Sequence, residues 1–246
     1  MKIQSYGITD VGKKRSTNQD AIYTDDHLGL YVVADGMGGH SGGDIASKMA
    51  IESIANTIKE FSSLKEDECH DALEEAVKKA NDDIFQYAKK NEEMKGMGTT
   101  VVLLLFKNNN LFIANVGDSR CYLYKAGGIY QVTRDNSLIQ EKINMGIYGR
   151  LEAAEDKMKN VLVRAVGHEG DVKVDLYHFQ FSPDDLFLLC SDGLHGMMTD
   201  EEIAQVIEKG EKQQLSLQGI TEELIRLGNE RGGKDNISAV LVKHIF

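Results

Sequence analysis

Only three cysteines and one proline occur in the 246 residues, no apolar run approaches a membrane span, and Lys plus Arg (28) fall short of Asp plus Glu (39). Each shortage excludes something. Cys69, Cys121 and Cys190 form an odd, widely separated set, two of them inside apolar runs where a reduced thiol simply packs, so all are read as free thiols. None has arginine six positions on, where Glu75, Gly127 and Gly196 stand, so a cysteine loop for phosphate is excluded. A single proline, with no repeat, low-complexity linker or shift in composition, argues for one domain over residues 1–246. Without some ~18 consecutive apolar residues there is no helix to cross a bilayer. The N-terminal stretch MKIQSYGITDVGKKRS also lacks the apolar centre of a signal peptide, so a cytoplasmic location is expected. A net charge of −11 disfavours nucleic acid and acidic membrane surfaces, which need a basic partner.

What is present is a chain able to fold. Hydrophobic residues make up 41% and charged ones 27%, and a compact domain of this length buries roughly 70–75% of its unfolded surface. Alternation from Ile3 to Tyr6 and from Ala21 to Thr24 predicts strands separated by a polar turn from Gly7 to Asp20, and Leu28 to Ala34 reads as a buried strand. Ile51, Ile54, Ile58 and Phe61, then Leu73, Val77, Ala80, Ile84 and Tyr87, recur at spacings of three and four, which predicts consecutive amphipathic helices.

TTVVLLLF from Thr99, LFIANV from Leu111 and SRCYLY from Ser119 read as a meander of antiparallel strands. The polar stretch between Asn136 and Asn160, interrupted by Gly146 and Gly149, predicts short helices in a flap at about residues 140–160. Strands resume at VKVDLYHFQF and DLFLLCS. Thr199 and Glu202 form a capping box for a helix through Ile203, Val206 and Ile207. Leu217, Ile220, Leu224 and Leu227 mark another helix, and NISAVLVKHIF closes the chain as a strand. This order implies an α+β layered sandwich, with packed sheets inside and helices outside.

Aspartates stand at the ends of the apolar runs: Asp35 after LGLYVVA, Asp118 after LFIANVG, Asp192 after DLFLLCS, Asp235 before NISAVLV and Asp20 before AIYT. One such residue is ordinarily a turn former that bonds its own backbone. Repetition at equivalent places, with Gly36, Gly117, Gly193 and Gly233 alongside, suggests carboxylates that converge on a shared crevice. All-oxygen donors without paired Cys or His favour Mg²⁺ or Mn²⁺ over zinc. Two such ions roughly 3.5–4 Å apart can hold hydroxide and polarise a phosphoryl oxygen, which is the chemistry of phosphate ester hydrolysis. Arg15, just upstream of Asp20, is the forked donor suited to a phosphate dianion.

Taken in order, RSTNQD from Arg15, VVADGMGGH from Val32, GTT from Gly98, NVGDSR from Asn115, VLVRAVG from Val161, LLCSDGL from Leu188 and KDNIS from Lys234 resemble the motif set of the type 2C metal-dependent protein serine/threonine phosphatases in their bacterial form. The resemblance implies a four-layer α/β/β/α sandwich with two central antiparallel sheets flanked by helices. It also implies hydrolysis of phosphoserine and phosphothreonine by a metal-bridging hydroxide. By the same resemblance Asp35 would bridge two metals and Gly36 would add its carbonyl. Asp192 and Asp235 would complete the first metal, Asp20 would support the second partly through water, and Asp118 would hold a third, weaker ion. Arg15 would bind the substrate phosphate, and Met145 to Lys159 would correspond to the family's variable flap. Phosphoprotein substrates, an opposing Ser/Thr kinase and a monomeric state are expected.

Two positions depart from the pattern. Many relatives have histidine after the first Asp-Gly as a proposed general acid, where this chain has Met37, with His40 the nearest histidine. Relatives also commonly carry Asp-His where this chain reads Asp135-Asn136. No proton donor is therefore identified. Other readings are weaker. Gly39 to Gly43 matches G-x-S-x-G around Ser41, but residues intervene between the strand and Gly39, unlike the nucleophile elbow of an acyl hydrolase. Gly7 to Lys13 nearly matches a P-loop, but Lys14 replaces the needed Ser/Thr. A catalytically silent phosphoprotein-binding domain of the same fold should have lost ligands, and this chain retains all of them.

Overall fold

The computed structural model describes residues 2–39, 42–61, 64–149, 156, 158 and 160–245. The N-terminal strand β1 (Lys2–Asp10) is followed by β2 (Asp20–Asp25), β3 (Leu30–Met37), α1 (Gly42–Glu60) and α2 (Cys69–Lys90). Then come β4 (Gly98–Thr99), β5 (Val101–Lys107), β6 (Asn110–Val116), β7 (Arg120–Lys125), β8 (Gly128–Gln131) and α3 (Leu138–Asn144). The last part holds β9 (Asp175–Gln180), β10 (Leu186–Cys190), α4 (Asp192–His195), α5 (Asp200–Lys212), α6 (Leu217–Glu230) and β11 (Ile237–Ile245).

One antiparallel sheet has the order β1-β11-β10-β7-β8, the other β2-β3-β5-β6-β9 with β4 paired to β3. The layering follows from which side each strand residue faces. Along β3, Leu30 and Val32 pack with α1 and α2 around Ile54, Leu73 and Ile84, whereas Tyr31 and Val33 meet Phe187, Leu189 and Val240 of the opposite sheet. A strand buried on both faces needs no polar alternation, which explains the unbroken apolar run. On the far side Tyr122, Leu188 and Leu241 pack against Ile203 and Ile207 of α5 and Leu224 of α6. The result is the expected α+β four-layer order: helices, sheet, sheet, helices.

Three element boundaries differ from expectation. β1 runs on through Gly7 to Asp10, because all nine residues pair with β11, from Lys2 opposite Ile245 to Asp10 opposite Ile237. A Cβ on Gly7 would come within 3.0 Å of Ile22 and 3.1 Å of Val240, so this glycine serves a close crossing of strands rather than a turn. The strand expected from Thr99 is broken at Thr100, which separates β4 from β5. The strand expected from Val172 begins at Asp175, opposite Asn115; β6 ends at Val116, so Val172 and Lys173 have no strand residue to pair with, and Val172 and Val174 fill the core beside α2. In the flap region, Ser137 caps α3, and Leu138 N–H donates to the Val161 carbonyl, drawing the two ends of the segment together. The expectations for His40, Ser41 and residues 150–155, 157 and 159 of the flap lie outside the described residues. The thiols of Cys69, Cys121 and Cys190 are buried and free.

Candidate metal centre

The ends of β3, β6 and β10 and the turn before β11 open into one cavity of about 930 Å³, whose lining includes Arg15, Asp35, Gly36, Asp118, Asp192 and Asp235. Asp35 sits near the end of β3, opposite Asp20 of β2 in the sheet register. Its backbone is fixed from both sides: its N–H donates to Thr100 Oγ1 (3.0 Å), while its carbonyl accepts from Thr99 Oγ1 (2.9 Å) and Thr100 N–H (2.8 Å). The break at Thr100 thus clamps the residue at the centre of the site. Thr100 Oγ1 also meets Ser119 Oγ at 2.7 Å, tying the β3 end to the turn carrying Asp118.

Gly36 follows in a space no side chain can share. A Cβ there would lie 2.0 Å from the Gly43 carbonyl oxygen and 2.6 Å from that of Gln19. Asp192 opens α4, and Gly193 beside it is crowded in the same manner, its Cβ position 1.9 Å from the Asn236 carbonyl oxygen. Asn236 fastens the loop of Arg15 to the turn of Asp235: its Nδ2 donates to the Val11 and Thr17 carbonyls (2.9 Å each) and its Oδ1 accepts from Gln19 N–H (2.8 Å). Arg15 Nη2 donates to Asp235 Oδ2 at 2.6 Å from a half-exposed position.

Asp20 lies deeper than expected for a ligand acting partly through water. It is 4% exposed, and its Oδ2 accepts from the hydroxyls of Ser191 and Ser238, both at 2.7 Å. Its Oδ1 is buried without a partner. Burial pushes this carboxyl up to about 6, opposed by the two serine hydroxyls and aided by the charges of Asp192 and Asp235. Asp118 is pushed up to about 8, first by burial and then by Asp192 and Asp135, with Arg120 opposing. Asp35 is held well above the usual carboxylate range by burial and by Asp20, Asp192, Asp118 and Asp235 together. Mutual repulsion of this kind is what divalent cations relieve.

Among the described residues no three Asp, Glu, His or Cys side chains close around a single point as a metal cage. That is compatible with Mg²⁺ or Mn²⁺, which bind through one or two carboxylates and keep several waters. The hard oxygen donors, the Asp20 oxygen without a partner and the crowded Gly36 backbone all fit such ions.

The two departures from the motif pattern separate in space. Met37 lines the cavity. Asn136 does not: it is buried, its Oδ1 accepts from Gly117 N–H (3.0 Å), its Nδ2 donates to Asp175 (2.8 Å), and its own N–H donates to the Gly117 carbonyl (2.7 Å). Asp135 beside it is engaged by Arg120, whose Nε and Nη2 both donate to it. Sequence reasoning assigned no role to Thr100, Ser191, Ser238 and Asn236. The signal was there in the polar residues adjoining or interrupting otherwise apolar strand runs.

The family model for protein phosphatase 2C matches residues 12–241. A serine/threonine phosphatase of Listeria welshimeri is 37% identical over 239 residues, covering 96% of this chain and 93% of that protein. The crystal structure of the serine/threonine phosphatase Stp1 from Staphylococcus aureus superposes with a TM-score of 0.93 at 30% identity, covering 100% of this chain and 96% of the other. A catalytic domain of the phosphatase PstP, solved with two manganese ions, gives a TM-score of 0.86 at 29% identity over 98% of each chain. The chain belongs to the protein phosphatase 2C family of metal-dependent serine/threonine phosphatases.

Proposed function

We propose that this chain removes phosphate from phosphoserine and phosphothreonine in proteins, with Mg²⁺ or Mn²⁺ held by Asp20, Asp35, the Gly36 carbonyl, Asp192 and Asp235, and a further ion near Asp118. The observation that carries this reading is the set of mutually repelling carboxylates gathered at one cavity together with Arg15. When bound, the ions supply charge neutralisation, an activated water and polarisation of the phosphoryl oxygen. The remaining work falls to the chain itself. Arg15, free to exchange Asp235 for an incoming phosphate, grips two phosphoryl oxygens through its planar fork and sets the phosphorus in line. Ser191 and Ser238 hold Asp20 in one orientation, and the threonine pair does the same for the Asp35 backbone.

Residues 1–246 act as one catalytic domain, with a flap segment at about 140–160. Among the described residues no helix is long and apolar enough to cross a membrane. A cytoplasmic monomer that opposes a Ser/Thr kinase is part of the same proposal. The test is phosphate release from a phosphothreonine peptide with Mn²⁺, with and without chelator, in wild type and Asp192→Asn. Release should require the ion and should fall by about 10²–10³-fold in the variant, as for loss of a group that stabilises transition-state charge. Binding of the peptide without turnover would favour a silent phosphoprotein-binding domain, and metal-independent release would overturn the mechanism.

A further inference from the structure

The leaving group of a serine or threonine phosphate is an alkoxide, which departs readily only if it receives a proton. Met37 and Asn136 cannot give one. The structure brings another residue to the same place. Met37 pairs with Gly98 across β3 and β4, and Thr99 pairs with Val166 through Thr99 N–H to the Val166 carbonyl (2.9 Å) and Val166 N–H to the Thr99 carbonyl (2.8 Å). The chain leaving Val166 therefore runs alongside Gly98. A Cβ on Gly98 would lie 3.1 Å from Met37 Cε and 3.6 Å from His168 Cβ, so the two side chains flank one bare spot of backbone. Both line the cavity that holds Asp35, Asp118, Asp192 and Asp235.

His168 is exposed, yet its backbone is firmly placed. Asn81, 2% exposed within α2, accepts from Gly167 N–H at 2.7 Å and donates to the Glu169 carbonyl at 3.0 Å, holding the chain on both sides of the histidine. Gly167 has φ +84° and presses so closely on Ile84 that a Cβ would lie 2.1 Å from it, which fixes the turn. A side chain carried by such a clamp is presented in a narrow range of positions, as proton transfer requires. Among the described residues it is also the one histidine lining the cavity, and imidazole is the side chain that readily gives a proton near neutral pH.

We propose that His168 is the proton donor to the leaving serine or threonine oxygen, taking the part for which Met37 is unfit; this rests on the phosphatase reading above. In the step, a water oxygen forms its bond to phosphorus as the bond from phosphorus to the side-chain oxygen breaks. The electron pair of the broken bond takes the proton from His168, the attacking water gives up its proton to solvent, and solvent then reprotonates the imidazole. The charged groups that line the cavity with His168 are Glu169 and Asp171 on its own segment, Arg15, Arg164 and the aspartates, and Asp171 interacts with Lys78 of α2.

The test uses leaving groups of different basicity with saturating Mn²⁺. p-Nitrophenolate leaves without a proton, whereas a threonine alkoxide does not. His168→Gln should lower kcat on a phosphothreonine peptide by about 10²-fold and leave p-nitrophenyl phosphate hydrolysis nearly untouched. Equal losses on both substrates would mark a structural role, and no loss on either would mark a bystander; both overturn the proposal. Absence of metal-dependent release from either substrate in the wild type would instead overturn the phosphatase reading, and the acid with it.

Discussion

Asp20→Asn offers a measurement of how strongly this site depends on cations, because the substitution keeps the shape of the side chain and removes its charge. In the folded chain the Asp20 carboxyl is raised from 3.8 to about 6, chiefly by burial. A shift of that size corresponds to about 3 kcal/mol against the ionised form. Because the folded value is the higher one, the native state keeps its proton longer than the unfolded chain as pH rises. Without metal, stability is therefore lost as pH climbs from below 3.8 through about 6. About 2 kcal/mol of that loss falls between about pH 4.5 and about pH 8. Urea unfolding of chelator-treated protein at those two pH values should show the wild type losing about 2 kcal/mol more than Asp20→Asn, through the midpoint at an unchanged slope. The Asn side chain can turn its oxygen to the hydroxyls of Ser191 and Ser238, and any fixed cost of its amide cancels in the comparison. Mn²⁺ at pH 8 should then reverse the order, stabilising the wild type more than the variant because the ion binds the folded state alone. Identical pH dependence in both proteins, or equal stabilisation by Mn²⁺, would refute the reasoning.

Two further substitutions separate binding from support. Arg15→Ala should raise KM for a phosphopeptide with a smaller effect on kcat, and should change urea stability by less than about 1 kcal/mol, because its pair with Asp235 is half exposed. Asn136→Ala removes the side-chain acceptor of the buried Gly117 N–H and the donor to Asp175, and should cost about 1–3 kcal/mol in urea unfolding. Its effect on activity should follow loosening of the Gly117-Asp118 turn, seen as a higher Mn²⁺ concentration needed for activity rather than as a changed preference for the leaving group.

Much of the architecture was legible because its signals are local. The periods of three and four in α1 and α2 state which face is buried, the capping box at Thr199 states where a helix starts, and the apolar runs of β3, β5, β6 and β10 state that both faces are covered. Boundaries were less legible because they depend on partners. Gly7 looks like a turn until β11 is laid against it for nine residues, and Val172 looks like a strand until β6 is seen to end at Val116. The aspartates could be read from their places at strand ends, but burial could not. Nothing in RSTNQD says that Asp20 is sealed beneath two serines that come from β11 and the end of β10.

The same distinction decides what the departures from the motif pattern mean. A motif position fixes a place along the chain, whereas a proton donor has to be fixed relative to a phosphorus atom. Asn136 stands where the motif pattern would have histidine, and its side chain faces Gly117 and Asp175 rather than the cavity. It supports the turn that presents Asp118, so the absence of an imidazole there takes no group from the cavity. Met37 does line the cavity, and its thioether offers no proton. Across the gap left by Gly98 stands His168, from a segment that sequence spacing gave no reason to associate with Asp35. The pairing of Gly36 with Thr99 and the bridge from Thr99 to Val166, together with Asn81 bonded to the turn, make that association. The acid therefore comes from the chain beside the strand partner of Met37, one residue past Gly167.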